Sequence, residues 1–120
     1  MRVSLFVRRK ECRLAYDVHI VRTESWLDAA DDPISKADVD ALIASDPELD
    51  WSANDWVDMA DDEGNVTRYF GILWRGKPCF LWYRNEVQCA GPRKDQIAKM
   101  VEMARQLNAR VIGDDGEEYT

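Results

Sequence analysis

Residues 14–21, with the sequence LAYDVHIV, alternate between apolar and polar side chains. A period of two residues places successive side chains on opposite faces of a β-strand, so this stretch predicts a half-buried strand. His19 belongs to the polar face and is predicted to be a surface residue. The apolar face is formed by Leu14, Tyr16, Val18 and Ile20.

The first residues of the chain keep this alternation only briefly. The run VSLFV has apolar side chains at every second position, and the run RRKEC then ends the pattern. Residues 1–14 are therefore predicted to be either an additional edge strand or an extension outside the core.

The segment PISKADVDALIASDPEL carries the start and stop signals of a helix. Ser35 is a preferred N-cap residue, and Asp38, three positions later, completes a capping box. Ile34 and Val39 flank the cap at the positions of a hydrophobic staple. Pro47 cannot continue the helix. The predicted buried stripe consists of Val39, Leu42 and Ile43.

Residues 56–90 are predicted to form antiparallel strands. The predicted strands are TRYFGILW at 67–74, CFLWYR at 79–84 and EVQCA at 86–90, and RGKP forms a turn between the first two. The middle strand is apolar on both faces, which favours a central position in the sheet.

A second helix is predicted after Gly91-Pro92, because proline suits the first turn of a helix. Asn108 is predicted to end it in the left-handed conformation. ARVIG is then a last short strand, followed by the acidic tail DDGEEY. The apolar face of this helix consists of Ile97, Met100, Val101, Ala104 and Leu107.

These elements predict one domain that spans residues 1–120. The expected fold class is α+β, with an antiparallel sheet of about four to six strands and two helices packed on one face. An apolar fraction of 46% is sufficient for a core of this kind.

Composition excludes several classes of protein. The net charge is −7, which argues against binding to nucleic acid or to an anionic membrane surface. No apolar run approaches the roughly 18–20 residues of a membrane span. VSLFV is too short for the core of a signal peptide, so we expect a cytoplasmic protein.

The sequence lacks the residue patterns that are typical of cofactor, metal and catalytic sites. Asp46, Glu48 and Asp50 have the first three spacings of a calcium loop, but Trp51 stands where the loop needs glycine and Val57 where it needs glutamate. With one histidine, no nucleophile elbow and no glycine-rich phosphate loop, we predict no enzyme, no cofactor and no metal site.

The cysteines are Cys12, Cys79 and Cys89. An odd number without CxxC spacing predicts free thiols rather than a disulfide framework. Cys79 and Cys89 are expected on adjacent strands, where a disulfide can form under oxidising conditions.

The acidic residues are concentrated in one third of the chain. Residues 24–63 contain fourteen carboxylates and one lysine, and Trp26, Trp51 and Trp56 lie among them. Such a block is either a solvated face or a surface for a basic protein partner, since complementary charge raises the rate of association. Tryptophan is enriched at binding hot spots, although at least one of the three is expected to pack against the core.

Two segments carry a resemblance to a known group of proteins. YDVHIVRTESWLDAADDPISKADVDALIASDPEL and QIAKMVEMARQLNARVIGDDGEEY resemble the opening and the end of small bacterial proteins that are often encoded near polymorphic toxins as candidate immunity proteins. Residues 1–14 precede the group's usual start, and Asn108 stands where a helix-ending glycine is expected. The group has no catalytic signature, so the resemblance implies a binding function.

The leading hypothesis is a cytoplasmic immunity protein that occludes a basic cognate toxin through the acidic third. The alternative is a housekeeping interaction domain with a solvated acidic face and no toxin partner. Trp51 or Trp56 is predicted to be the apolar anchor. The predicted charged contacts are Asp46, Glu48, Asp50, Asp58, Asp61, Asp62 and Glu63.

Overall fold

A computed structural model describes residues 16–60 and 62–120. The seven strands in this part of the chain are β1 (Asp17–Val21), β2 (Leu49–Ala60), β3 (Val66–Trp74), β4 (Lys77–Tyr83), β5 (Glu86–Ala90), β6 (Arg110–Gly113) and β7 (Glu118–Tyr119). The helices are a 3₁₀ helix (Trp26–Asp31), α1 (Lys36–Ser45) and α2 (Lys94–Gln106). The predictions for residues 1–14, including Cys12, lie outside the described residues.

The strands form one sheet in the order β2-β3-β4-β5-β1-β6-β7. Every neighbouring pair is antiparallel. The predicted α+β class is confirmed, and the strand number lies one above the predicted range. The extra strand is β7, because two residues of the predicted acidic tail return to pair with β6.

The main core lies between one face of the sheet and the two α-helices. Val18 and Ile20 of β1 project into it, together with Phe80 of β4. Met100 and Met103 of α2 are fully buried against them. The helices also contact each other, since Ser45 at the end of α1 donates a hydrogen bond to Gln106 of α2.

The local signals for α1 are confirmed. Ser35 and Asp38 form the reciprocal hydrogen bonds of a capping box, at 3.1 and 2.9 Å. Ile34 and Val39 are both completely buried, as expected of a hydrophobic staple. The helix ends at Ser45, two residues before Pro47.

The second helix and its end also follow the sequence pattern. Pro92, which was expected in the first turn, lies instead just before the N-cap residue Arg93, and α2 begins at Lys94. Asn108 adopts a φ of 54°, the left-handed conformation predicted for it. The strand prediction was less complete, because β2 begins at Leu49 rather than within the predicted 56–90 region.

The prediction that His19 is a surface residue was wrong. His19 is only 3% exposed, because the face of β1 opposite the main core is covered as well. There the 3₁₀ helix packs on the sheet and forms a second, smaller apolar cluster. The members of this cluster are Val21, Ala29, Ile112 and the half-buried Trp26.

Candidate protein-binding surface

Asp46 and Glu48, two of the predicted partner-binding residues, hold a lysine inside the fold. Lys99 of α2 is 3% exposed, and its Nζ lies 2.8 Å from Asp46 Oδ2 and 3.0 Å from Glu48 Oε1. Glu48 also accepts hydrogen bonds from Trp74 Nε1 and Arg75 Nε. The hydrogen bond from Lys99, followed by those from Trp74 and Arg75, lowers the pKa of Glu48 to about 2. These carboxylates fasten α2 to the connection between α1 and β2, and Asp46 lies within the fold.

Trp51, a predicted anchor, connects β2 to α1. It is half-buried against the main core, and its Nε1 donates a hydrogen bond of 2.7 Å to Asp40 Oδ1. Lys36 Nζ lies 4.7 Å from the centre of the Trp51 ring. The Trp51 ring also contacts the Phe70 ring, with 6.1 Å between ring centres and 70° between the ring planes. This confirms the expectation that at least one tryptophan of the acidic third packs against the core.

The other predicted residues lie on β2 and on the turn that follows it. Asp58 forms a bidentate ion pair with Arg68 on β3, with hydrogen bonds of 2.8 and 3.1 Å. Trp56 pairs through its backbone with Phe70, while its side chain and the whole of Asp61 lie outside the described structure. The residues with exposed side chains are Asp50, Asp62 and Glu63.

Four other acidic residues of the 24–63 block lie on the 3₁₀ helix or directly beside it in the sequence. Ser25 caps this helix by accepting a hydrogen bond from the amide of Leu27. Leu27 itself is 75% exposed. None of the four carboxylates nearest to it in the sequence forms an ion pair within residues 16–60 and 62–120. These four exposed side chains are Glu24, Asp28, Asp31 and Asp32.

Trp26 anchors the 3₁₀ helix to the sheet. Its ring stacks on His19 with ring centres 4.4 Å apart and planes 3° from parallel. Its Nε1 donates a hydrogen bond of 3.3 Å to the backbone oxygen of Asp114, in the turn between β6 and β7. The 3₁₀ helix is therefore held against β1 and against the acidic β6–β7 turn.

His19 is itself fixed by two carboxylates from different elements. Its Nδ1 lies 2.5 Å from Glu86 Oε1 on β5, and its Nε2 lies 2.8 Å from Asp114 Oδ1. Burial alone lowers the pKa of His19, but the hydrogen bonds and charges of Glu86 and Asp114 together raise it above the ordinary value. Since both ring nitrogens face carboxylate oxygens, the protonated imidazolium satisfies both as a donor.

This anchoring joins two acidic segments that are far apart in sequence. Asp115 is exposed and directly follows Asp114, the residue that forms hydrogen bonds with Trp26 and His19. We call the resulting surface the acidic face. It consists of Glu24, Leu27, Asp28, Asp31, Asp32 and Asp115.

The predicted acidic third is thus divided between two regions that lie toward opposite edges of the sheet. The acidic face lies beside β1 and the β6–β7 turn, whereas Asp50, Asp62 and Glu63 lie on or next to β2, the opposite edge strand. Sequence reasoning included residues 24–32 in the acidic block but placed its predicted site at 46–63. The signals available in the sequence were an isolated leucine, Leu27, among carboxylates and the acidic tail at 114–118.

The described residues contain neither a cluster of metal ligands nor a membrane-spanning helix. In this part of the chain no three histidine, cysteine, aspartate or glutamate side chains are grouped so that they could hold a metal ion. None of its helices combines the length and the apolar character needed to cross a membrane.

Comparison of the chain with protein-family models, with curated proteins and with solved structures found no match. The resemblance to candidate immunity proteins therefore stays a prediction.

Proposed function

We propose that this protein is a cytoplasmic immunity protein that binds a basic cognate toxin through the acidic face. The observation that carries the proposal is the placement of Leu27. This leucine is 75% exposed, and four exposed carboxylates without an ion pair among the described residues lie within five positions of it in the sequence. An apolar side chain inside a charged rim is the usual anatomy of a protein–protein interface.

The electrostatics of the acidic face favour a partner of opposite charge. Like charges that lack neighbouring cations repel each other and destabilise the folded chain. A basic partner relieves this repulsion and gains a faster rate of encounter. By contrast, Asp58 already has Arg68 as a partner, and Asp46 and Glu48 already share Lys99.

The acidic face is also held in position before any partner arrives. Trp26 fixes the 3₁₀ helix through its stacking on His19 and its hydrogen bond to Asp114. Pre-ordered contact residues lower the entropic cost of association. The predicted residues Asp50, Asp62 and Glu63 are exposed near the two ends of β2, at the other edge of the sheet, and provide a control of equal charge.

The test is retention of a partner by immobilised protein from the lysate of the source cells, at low salt and at about 0.5 M salt. We expect a basic protein to bind at low salt and to be lost at high salt. The variant Asp28→Asn/Asp31→Asn/Asp32→Asn should lose this protein. The control Asp50→Asn/Asp62→Asn/Glu63→Gln removes the same number of negative charges and should still bind the basic protein.

Toxin neutralisation is measured with the partner so identified. Expression of the partner should stop bacterial growth, and co-expression of the wild-type chain, but not of the Asp28/Asp31/Asp32 variant, should restore it. If the control variant loses the partner and the acidic-face variant keeps it, the interface lies on the β2 side instead. If neither salt condition yields a partner, the acidic face is a solvated surface of an interaction domain without a toxin partner.

A further inference from the structure

Cys79 lies at an irregularity of the sheet. Ile72 of β3 pairs with Phe80 of β4, but the next residue, Leu73, pairs with Pro78, so Cys79 is the extra residue of a β-bulge. A bulge changes the direction of the side chain that it carries. Here Cys79 contacts Gln96 of α2, on the helix side of the sheet.

Two polar side chains donate hydrogen bonds to this cysteine. Gln96 Nε2 donates a hydrogen bond of 3.4 Å to Cys79 Sγ. The thiol of Cys89, on the neighbouring strand β5, donates a hydrogen bond of 3.4 Å to the backbone oxygen of Cys79. Cys89 is 5% exposed and Cys79 is half-buried, and both are free thiols. The expectation that the two cysteines lie on adjacent strands is confirmed.

The two thiols differ in their tendency to ionise. The neighbouring Cys89 thiol is the main cause that lowers the pKa of Cys79, and Gln96 and the charge of Arg93 act in the same direction. For Cys89, the proximity of Cys79 and then burial raise the pKa. A thiolate is the reactive form of cysteine, so Cys79 is the nucleophile of the pair and Cys89 stays protonated.

A cavity of about 400 Å³ opens beside Cys79. Three cationic side chains line it, those of Arg75, Lys77 and Arg93, against the single carboxylate of Asp95. Arg93 pairs with Asp95 and Arg75 pairs with Glu48, each at 3.0 Å, so Lys77 is the lining cation without an ion pair among the described residues. The wall around the thiol is therefore positive overall, which favours an anionic reagent.

We propose that Cys79 is a thiol-modification site that reacts with an anionic small-molecule disulfide bound in this cavity. The Cys79 thiolate attacks one sulfur of the disulfide, forms a mixed disulfide and releases the first small thiolate. Cys89 then loses its proton to that thiolate or to water and attacks Cys79 Sγ. A Cys79–Cys89 disulfide forms, and the second small thiolate leaves. Two protein thiols are oxidised and one disulfide molecule is reduced to two thiols, so electrons balance.

Glutathione disulfide, which carries several carboxylates, is the probe. The experiment uses the full chain with Cys12→Ser, so that only Cys79 and Cys89 remain. We expect this protein to lose both free thiols and to end, by intact-mass spectrometry, two hydrogens lighter. With Cys89→Ala added, the reaction should stop at one glutathionyl group, located on Cys79 by peptide mapping. Circular dichroism checks that each variant is folded.

The role of the cavity is tested by comparing two reagents. The change Lys77→Glu, which leaves Arg93 beside the thiol, should slow the reaction with glutathione disulfide by about tenfold, while the reaction with the neutral bis(2-hydroxyethyl) disulfide changes little. Equal effects on both reagents would overturn the role of the cationic cavity. The modification site itself is refuted if the folded Cys89→Ala protein stays unmodified, or if Cys79→Ser lets Cys89 react at the wild-type rate.

Discussion

At the scale of single residues, His19 determines how the acidic face is held. Its imidazole lies between Glu86 and Asp114 and stacks on Trp26, so one side chain joins β1, β5, the β6–β7 turn and the 3₁₀ helix. A buried charge is tolerated only when it is paired and hydrogen-bonded. Protonated His19 between two carboxylates meets that condition, and neutral His19 leaves one of them without a donor.

The stability of the fold should therefore fall as pH rises through the folded pKa of His19. This pKa is raised above the unfolded value of about 6.5, so the stabilising contribution is fully present below about pH 6.5 and is lost above the folded pKa. Urea unfolding between pH 6 and 9 measures the effect. The protein has one histidine, so proton NMR of the imidazole gives its pKa directly.

The matched experiment uses His19→Gln in a Cys79→Ser background. Cys79→Ser is needed because the lowered pKa of Cys79 makes stability change with pH in the opposite direction. His19→Gln should be less stable at pH 6 and should lose the decline between about pH 6.5 and 8, because the raised pKa of Cys89 lowers stability only at higher pH. An imidazole pKa below 6.5 in the folded protein would contradict the role assigned to the two carboxylates.

The sequence could not reveal this role of His19. Alternation in LAYDVHIV correctly placed His19 opposite Val18 and Ile20, but a polar residue on the second face of a strand normally indicates solvent. The face is covered by the 3₁₀ helix, a six-residue element without an apolar periodicity of its own. Its partner Asp114 lies 95 residues away, so no local signal connects the two.

At the scale of elements, α2 carries a charge on a buried surface. Lys99 is adjacent to Met100 and is equally enclosed, yet it lies between Asp46 and Glu48 rather than among apolar side chains. Apolar periodicity predicted the helix and its Met100 and Ala104 contacts. It did not predict Lys99, because a lysine in a helix is read as part of the exposed face.

Replacing Lys99 by methionine should destabilise the protein by about 3 kcal/mol, since it leaves the buried Asp46 carboxylate without its cation. Lys99→Met/Asp46→Asn should recover part of this loss, because the uncompensated charge is removed as well. Denaturant unfolding measures both free energies. Lys94→Met, at an exposed lysine of the same helix, should change stability by less than about 0.5 kcal/mol. A double variant no more stable than Lys99→Met would show that the charge of Asp46 is not the cause.

At the scale of the whole molecule, the fold distributes its charge unevenly. Residues with strong local signals, such as Ser35 and Asp38 of the capping box, were predicted together with the elements they start. The division of the acidic block was not, because it depends on the strand order, which puts β2 and β7 at opposite edges. On the β2 side Asp58 has a cationic partner in Arg68, while the acidic face has none among the described residues.

The melting temperature should therefore rise when sodium chloride is increased from about 0.02 to 0.3 M. The Debye length falls from roughly 20 Å to about 6 Å over this range, so repulsion within the acidic face is screened. Exposed ion pairs such as Arg68–Asp58 are weakened by the same salt, but each contributes little to stability because both charges are solvated.

Asp28→Asn/Asp31→Asn/Asp32→Asn should melt higher than the wild type at low salt and should respond less to added salt, because the repulsion has been removed. The control Asp50→Asn/Asp62→Asn/Glu63→Gln makes the same change in net charge at the other edge and should keep more of the salt response. The melting temperatures of both variants are measured by thermal unfolding, which is monitored by circular dichroism. A wild-type melting temperature that falls with salt would mean that the ion pairs outweigh the repulsion. The acidic face would then have no stored electrostatic strain for a basic partner to relieve.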